Sequence, residues 1–304
     1  MDNDIKQMIR ALAEGDGIIK SDGLIDALSV LGLEVYRKAG LLYLRDPIEL
    51  LQAERILSHL TSRPLLEIHW TIGSTNSHLM ELRPQPDSTI VCLAERQEAG
   101  RGRRGNTWVS PFGKNIYLSV GTKFKRRTTE LGGLSLVIGI QVIKTLCNFG
   151  LDKIGLKWPN DILLLKGKLA GILVEIKREH QGGVFVVVGI GINFELEEKH
   201  SESIDQPWSE LKSYISPSRN DVAGQLINNM LMAFEVFESR GFPAFRDEWN
   251  EFNLYRGREV IVHLGEEQIS GRDAGVDDNG NLLLETTEGM RVFAAGQVSL
   301  RPAV

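Results

Sequence analysis

Apolar positions along this chain recur with two periods, and the switch between them divides it into three parts. Over residues 1–60, Ile5, Met8, Ile9 and Leu12 fall at helical spacing, and Gly15-Asp16-Gly17 ends the run. Leu24, Ile25, Leu28 and Leu31 predict a second helix, closed by Gly32. Residues 33–36 and 41–44 flank Arg37-Lys38-Ala39-Gly40 and read as a hairpin. From residue 65 onward strands dominate. Residues 65–70, 89–94 and 115–120 predict strands, and Gly73-Ser74-Thr75-Asn76 turns into a short helix through Leu82. A longer helix over 134–149 buries Leu134, Val137, Ile138, Val142 and Leu146. Strands at 154–158, 162–165, 169–176 and 184–192 are joined by tight turns such as Lys166-Gly167, which imply a mixed, largely antiparallel sheet with flanking helices. Residues 195–220 are polar and irregular around Trp208, and 221–240 form a long amphipathic helix stopped by Gly241 and Pro243. Beyond about residue 255, short strands at 259–264, 270–276, 282–285 and 290–293 predict a small β-barrel of SH3-like size. The fold class is α+β, in three units: 1–60, 61–253 and 254–304.

Composition narrows the class. A chain of 304 residues with 42% hydrophobic and 25% charged residues can bury more than one core. The net charge of −5 argues against a nucleic-acid coat. Cys92 and Cys147 both sit in apolar contexts and read as buried thiols in a reducing compartment rather than as a disulfide or metal site. Met1-Asp2-Asn3-Asp4 lacks a basic leader, and no apolar run approaches the ~18 residues of a membrane span, so a cytoplasmic location is expected.

Against that acidic background, Gly100-Arg101-Gly102-Arg103-Arg104-Gly105 is a local exception. The glycines let the backbone wrap a ligand, and the arginines offer fixed charge and paired donors to phosphate or carboxylate oxygens. A loop that is mobile when empty and ordered around an anion is expected. The letters also match the dinucleotide fingerprint, but Glu95-Arg96-Gln97-Glu98 separates the strand from the glycines, and Asn106-Thr107-Trp108-Val109-Ser110-Pro111 cannot open a helix. No kinase H-R-D or D-F-G occurs. A second informative stretch is Lys157-Trp158-Pro159-Asn160-Asp161. Pro159 bends the chain and leaves Asn160 and Asp161 at a strand mouth, suited to a Mg²⁺–phosphate complex or an incoming amine. Lys168 adds a cation at the start of the next strand. Gly171, Gly189 and Gly191 interrupt β-branched runs, as where a ligand lies on a sheet.

Taken in order, Ser74-Thr75-Asn76, Gln97 with the arginine loop, Lys157 to Asp161, Lys168 to Ile172 and Gly189 to Asn193 resemble the biotin protein ligases, from about residue 66 to the C-terminus. The resemblance implies a catalytic domain of the class II synthetase type. It implies that biotin and ATP, with ATP-bound Mg²⁺ and no metal beyond it, form biotinyl-5′-AMP, and that biotin then passes to a lysine of a biotin carboxyl carrier protein. It assigns biotin to Ser74, Thr75, Asn76 and Gln97, with Arg101, Gly102, Arg103 and Lys168 closing over biotin and the acyl phosphate. Arg101, Arg103, Arg104, Lys168 and Asn160 are thereby matched to the adenylate, and Asn193 and Trp208 to the adenine. Asp161 is expected to orient the acceptor amine and take its proton. A lipoate ligase shares the fold, but the arginine loop favours biotin. Repressor members carry a complete winged helix-turn-helix. Here Gly32 and Leu33 leave no room for a recognition helix between the second helix and the hairpin, so a winged-helix-like remnant that does not read DNA is expected. A homodimer through sheet extension along 184–192 is a further expectation.

Overall fold

The computed structural model describes residues 2–82, 88–165, 167–178, 183–196, 204, 206–296 and 298–302. The predicted turn residue Lys166 and much of the polar segment before Gln206 lie outside them.

The N-terminal unit follows its apolar spacing. Helices α1 (Asn3–Glu14) and α2 (Asp22–Leu31) each end on a left-handed glycine, Gly15 and Gly32. Strands β1 (Val35–Lys38) and β2 (Leu41–Leu44) form an antiparallel hairpin, with Val35 opposite Leu44. Only Gly32, Leu33 and Glu34 separate α2 from β1. Ile9, Leu12, Leu24, Leu28 and Leu42 make a small core that also takes in Phe112 from the next unit, and Trp70 packs against it. Helix α3 (Ala53–Leu57), which the periodicity did not predict, follows; Leu51 just before it and Ile56 within it belong to the main core.

That core lies under a seven-stranded sheet ordered β3-β4-β5-β9-β8-β7-β6. Its strands are β3 (Leu65–His69), β4 (Ile90–Ala94), β5 (Ile116–Phe124), β6 (Ile154–Lys157), β7 (Asp161–Leu164), β8 (Gly167–Arg178) and β9 (Val184–Ile192). Only β3 and β4 are parallel; the other neighbours are antiparallel. Helix α4 (Thr75–Glu81) covers part of one face. On the other, α5 (Leu134–Asn148) is buried on nearly every side, because α6 (Arg219–Arg240) and α7 (Arg246–Phe252) cover its back. The five predicted buried positions of α5 are buried, and Ile140 and Ile143 are buried with them.

Two expectations are overturned. Strand β9 is not a free edge: it pairs over its whole length with β5 and β8, so its backbone groups are already taken, and dimerisation by extension along 184–192 is excluded. The edges are β3 and β6. Cys92 is buried as expected, but Cys147 is exposed, on the face of α5 that its neighbours leave uncovered.

The C-terminal strands β10 (Glu259–Leu264), β11 (Glu267–Val276), β12 (Leu282–Thr286), β13 (Gly289–Phe293) and β14 (Val298–Pro302) form an antiparallel sheet ordered β13-β12-β11-β10-β14. It docks on the main unit where the Trp158 indole N–H donates to Gly280 O at 3.1 Å. A buried ion pair ties the N-terminal side: Arg219 meets Glu95 at 2.9 Å, and Glu95 also accepts from Leu51 N at 2.5 Å. No helix among the described residues is long and apolar enough to cross a membrane.

Candidate active site

Strand ends, helix α4 and the arginine loop converge on one cleft of the main sheet. Ser74 caps α4, accepting from Ser77 N at 3.4 Å, and thereby sets the next two residues into the sheet. Thr75 donates from N and Oγ1 to Gln97 Oε1 at 2.9 and 3.1 Å, and Gln97 Nε2 donates to Ser110 Oγ at 3.0 Å. Ser119 Oγ lies 2.7 Å from Thr75 Oγ1 and 2.6 Å from Asn76 Oδ1. Ser74, Thr75, Asn76 and Ser119 are buried, so this is a desolvated network aimed at the cleft rather than a solvated cap alone.

The arginine loop is a closed turn. Gly102 N donates to Asn106 O at 2.7 Å and Trp108 N to Gly100 O at 2.9 Å. A side chain at Gly100 would stand 2.3 Å from Trp108 O, so the turn closes only with glycine there. Arg104 takes a left-handed φ of 56° and is exposed. Arg101 pairs with Glu175 at 2.8 Å and donates to Ser77 Oγ at 3.1 Å. Arg103 donates to Asn160 Oδ1 at 2.8 Å and reaches across to Ala295 O of the C-terminal sheet. Burial, and secondarily the charge of Arg104, hold the Arg103 guanidinium below its ordinary pKa, with Asp161 opposing.

Lys168 and Asp161 face each other across β7 and β8, with Nζ 2.8 Å from Oδ1. Lys157 stands 3.9 Å from the other carboxylate oxygen, and burial lowers its pKa against the attraction of Asp161. Asn160 Nδ2 donates to Ile172 O at 3.0 Å, which fixes its amide with the oxygen toward Arg103. Lys168 also lies 5.5 Å over the ring of Trp108.

Trp108, Ser119 and Glu175 are the functional candidates that periodicity and motif did not single out. The glycines explain two contacts. A Cβ on Gly189 would come within 2.1 Å of Asn76 Oδ1, and one on Gly191 within 2.2 Å of the Trp108 indole. The room these glycines leave is therefore taken by side chains of the protein itself. Trp108 Nε1 is buried without a hydrogen-bond partner among the described residues, a cost of about 1–3 kcal/mol.

Two cavities meet at Lys168 and Trp108. The first, about 50 Å³, is lined by the Thr75–Gln97 network, Arg101, Gly102, Arg103 and the strand glycines. The second, about 300 Å³, is lined by Asn193 and Trp208 with Asn106, Thr107 and Val109. Asn193 is pinned by Nδ2 bonds to Lys168 O and Ser209 O at 3.1 and 3.2 Å, and Trp208 bridges to Lys168 through the backbone. Thus the predicted residues fall into one groove, except Arg104 and Asp161, which line a third cavity at its rim together with Lys157. Such a groove offers an uncharged polar pocket, a cationic middle and an aromatic far end.

Comparison with known proteins identifies the family. Residues 70–193 match the biotin/lipoate A/B protein ligase family, and 256–301 match the biotin protein ligase C-terminal domain. The chain is 38% identical over 281 residues to the bifunctional ligase/repressor BirA of Salmonella typhimurium, covering 92% of this chain and 88% of that protein. It is 31% identical over 242 residues to the biotin–[acetyl-CoA-carboxylase] ligase of Mycobacterium tuberculosis, covering 77% and 88%. Among solved structures, biotin protein ligase from Aquifex aeolicus in complex with biotin and ATP superposes with a TM-score of 0.68 at 29% identity, covering 79% of this chain and 99% of that one.

Proposed function

The chain belongs to the biotin protein ligase family, and from the groove we propose how it activates biotin with ATP and transfers it to a carrier lysine. The observation that carries the proposal is the juxtaposition of the buried Thr75–Gln97–Ser119–Asn76 network with Arg103 and Lys168. The network matches a ring that donates and accepts hydrogen bonds, such as the ureido group. Arg103 and Lys168 then lie beyond it, where the carboxylate of biotin meets the α-phosphate of ATP. Both partners are anions, so fixed cations are needed to bring them together. The carboxylate oxygen bonds to the α-phosphorus, pyrophosphate leaves, and biotinyl-5′-AMP remains. Asn193 and Trp208 line the cavity of the size and character suited to the adenine.

A cavity of about 50 Å³ has room for a few water molecules, less than biotin needs, and Trp108 fills the adjoining space over Gly171 and Gly191. We read the unpartnered indole N–H as the mark of a side chain that leaves the strand glycines when ligand enters. Asp161 and Asn160 offer one carboxylate and one amide oxygen near the phosphates, which fits a Mg²⁺ ion held mainly by ATP and water; that ion would neutralise phosphate charge. In the second step the acceptor amine must be neutral to attack the acyl carbonyl and release AMP. Its ordinary pKa is about 10.4, and Asp161 is the carboxylate at the cleft mouth that can take its proton.

The partner in this reading is a biotin carboxyl carrier protein of the cytoplasm. The N-terminal unit is read as a cap without operator binding, because three residues cannot supply a recognition helix between α2 and β1. A salt-dependent, sequence-preferring gel shift strengthened by biotin and ATP would overturn that part. The ligase reading itself is tested by incubating the chain with ATP, Mg²⁺ and labelled biotin or lipoate. Biotinyl-5′-AMP with stoichiometric pyrophosphate is expected; selective use of lipoate, or no adenylate, would refute it.

A further inference from the structure

Outside the groove, four side chains with metal-binding atoms converge where β3, β4 and α4 meet. Glu67 and His69 project from the same face of β3 at an i, i+2 spacing, and Cys92 is the register partner of Glu67 on β4. His78 comes down from α4, one turn beyond Thr75. His78 Nε2 lies 2.7 Å and His69 Nε2 3.3 Å from the same oxygen of Glu67, Oε2. The two imidazoles stand edge to face, 4.9 Å between centroids. With the Cys92 sulfur, one ligand atom from each residue falls within 4.8 Å of the rest. None of the four lines the biotin or adenine cavity.

We propose that Glu67, His69, His78 and Cys92 form a zinc site where helix α4 packs on the β3 edge of the sheet. The donor set decides the ion. Two imidazoles, a carboxylate and a thiolate suit a borderline-soft, four-coordinate cation, whereas Mg²⁺ and Ca²⁺ take oxygen ligands. Ligand bonds of about 2.0–2.3 Å place tetrahedral ligand atoms roughly 3.3–3.8 Å apart. The observed spread, up to 4.8 Å, has to close by about 1 Å at its widest to reach that shape. Access is open from one side only. The side chains of Glu67, His69 and His78 are 31%, 32% and 27% exposed, while Cys92 forms the buried floor. As the ion binds, the sulfur–metal bond forms and the thiol proton passes to solvent.

Three of the ligands come from strands, and the fourth from the helix that carries Thr75 and Asn76 into the groove. The ion therefore clamps α4 to the sheet edge one helical turn away from Thr75, on the same face of the sheet as the groove. Its action is on stability and on the position of α4, not on the reacting atoms.

The test uses the full chain, freed of metal by chelator, with Zn²⁺ and then Co²⁺ as probes. One Zn²⁺ per chain is expected, with a rise in melting temperature that grows with free Zn²⁺. Co²⁺ should give tetrahedral d–d bands together with a sulfur-to-metal charge-transfer band. Cys92→Ser should remove the charge-transfer band, and H69A/H78A should weaken binding by about 100-fold or more, beyond what loss of an outer partner does. Because Cys92 is buried, the double variant of the two half-exposed histidines keeps the test valid if C92S folds poorly. Zn²⁺ uptake equal in parent and double variant, or a Co²⁺ spectrum without the sulfur band, would overturn the site.

Discussion

Replacing Lys168 by alanine separates chemistry from folding in this groove. In the resting protein its ammonium meets Asp161 at 2.8 Å, with side chains 17% and 15% exposed. Removing it strips Asp161 of its nearer partner, but Lys157 remains at 3.9 Å, so the carboxylate is not left alone. The cost in stability should stay within about 1–2 kcal/mol. Lys168 lines both cavities, and in the proposed reaction its ammonium stands where negative charge builds up between carboxylate and α-phosphate. Loss of one such preorganised donor typically costs about 10²–10³ in rate, or roughly 2.7–4 kcal/mol. Single-turnover formation of biotinyl-5′-AMP at saturating biotin and ATP reads the chemical step, and thermal melting reads the fold. A fall of at least 10² with only a modest change in melting temperature is expected. Adenylate formation within tenfold of the parent, in a folded variant, would refute the placement of Lys168 at the reacting centre.

Two other substitutions probe the frame around it. Glu175→Ala removes the acceptor shared by Arg101 at 2.8 Å and Asn76 at 3.0 Å, and should weaken biotin binding about tenfold or more, as loss of charged hydrogen bonds does; calorimetry showing an unchanged Kd would exclude this role. Asp221 titrates below its ordinary pKa, chiefly through the hydrogen bond from Arg55, with burial opposing and His59 assisting. A depressed carboxylate contributes stability that is full above its unfolded pKa and lost as pH falls through the folded value. Asp221→Asn should therefore lower the melting temperature at about pH 7, with the gap to the parent narrowing as pH falls below the ordinary aspartate value of about 3.9. Parallel pH profiles for the two proteins would show that the pair contributes nothing.

Local chemistry made much of this legible before any coordinates. The spacing of Ile9 and Leu12 and of Leu24 and Leu28 gave two helices, because helical period and glycine stops are properties of neighbours in sequence. The arginine loop stood out because its cations are costly to crowd together without an anion, and Lys157 to Asp161 because Pro159 leaves Asn160 and Asp161 at a strand mouth. What escaped depends on partners far along the chain. Valine-rich β9 looked like an edge because composition does not report strand order; it lies between β5 and β8. Glu175 read as one polar position in a strand, and only the fold brings it 74 residues back to Arg101. Trp108 looked like a loop tryptophan, yet Gly171 and Gly191 are its seat. Cys147 and Cys92 have similar neighbours, and only the packing of α5 exposes one of them. The cluster of Glu67, His69, His78 and Cys92 was invisible for the same reason, since its members are dispersed over two strands and a helix.

The central claim is that one groove both makes biotinyl-5′-AMP and delivers it to an amine. Its most direct test is to mix the chain with biotin, ATP, Mg²⁺ and a purified biotin carboxyl carrier domain, then locate the product by mass spectrometry. One biotinyl group on a single carrier lysine is expected, with transfer slowed in Asp161→Asn while adenylate still accumulates. A carrier that stays unmodified while the adenylate forms, or modification scattered over many lysines by released adenylate, would contradict it.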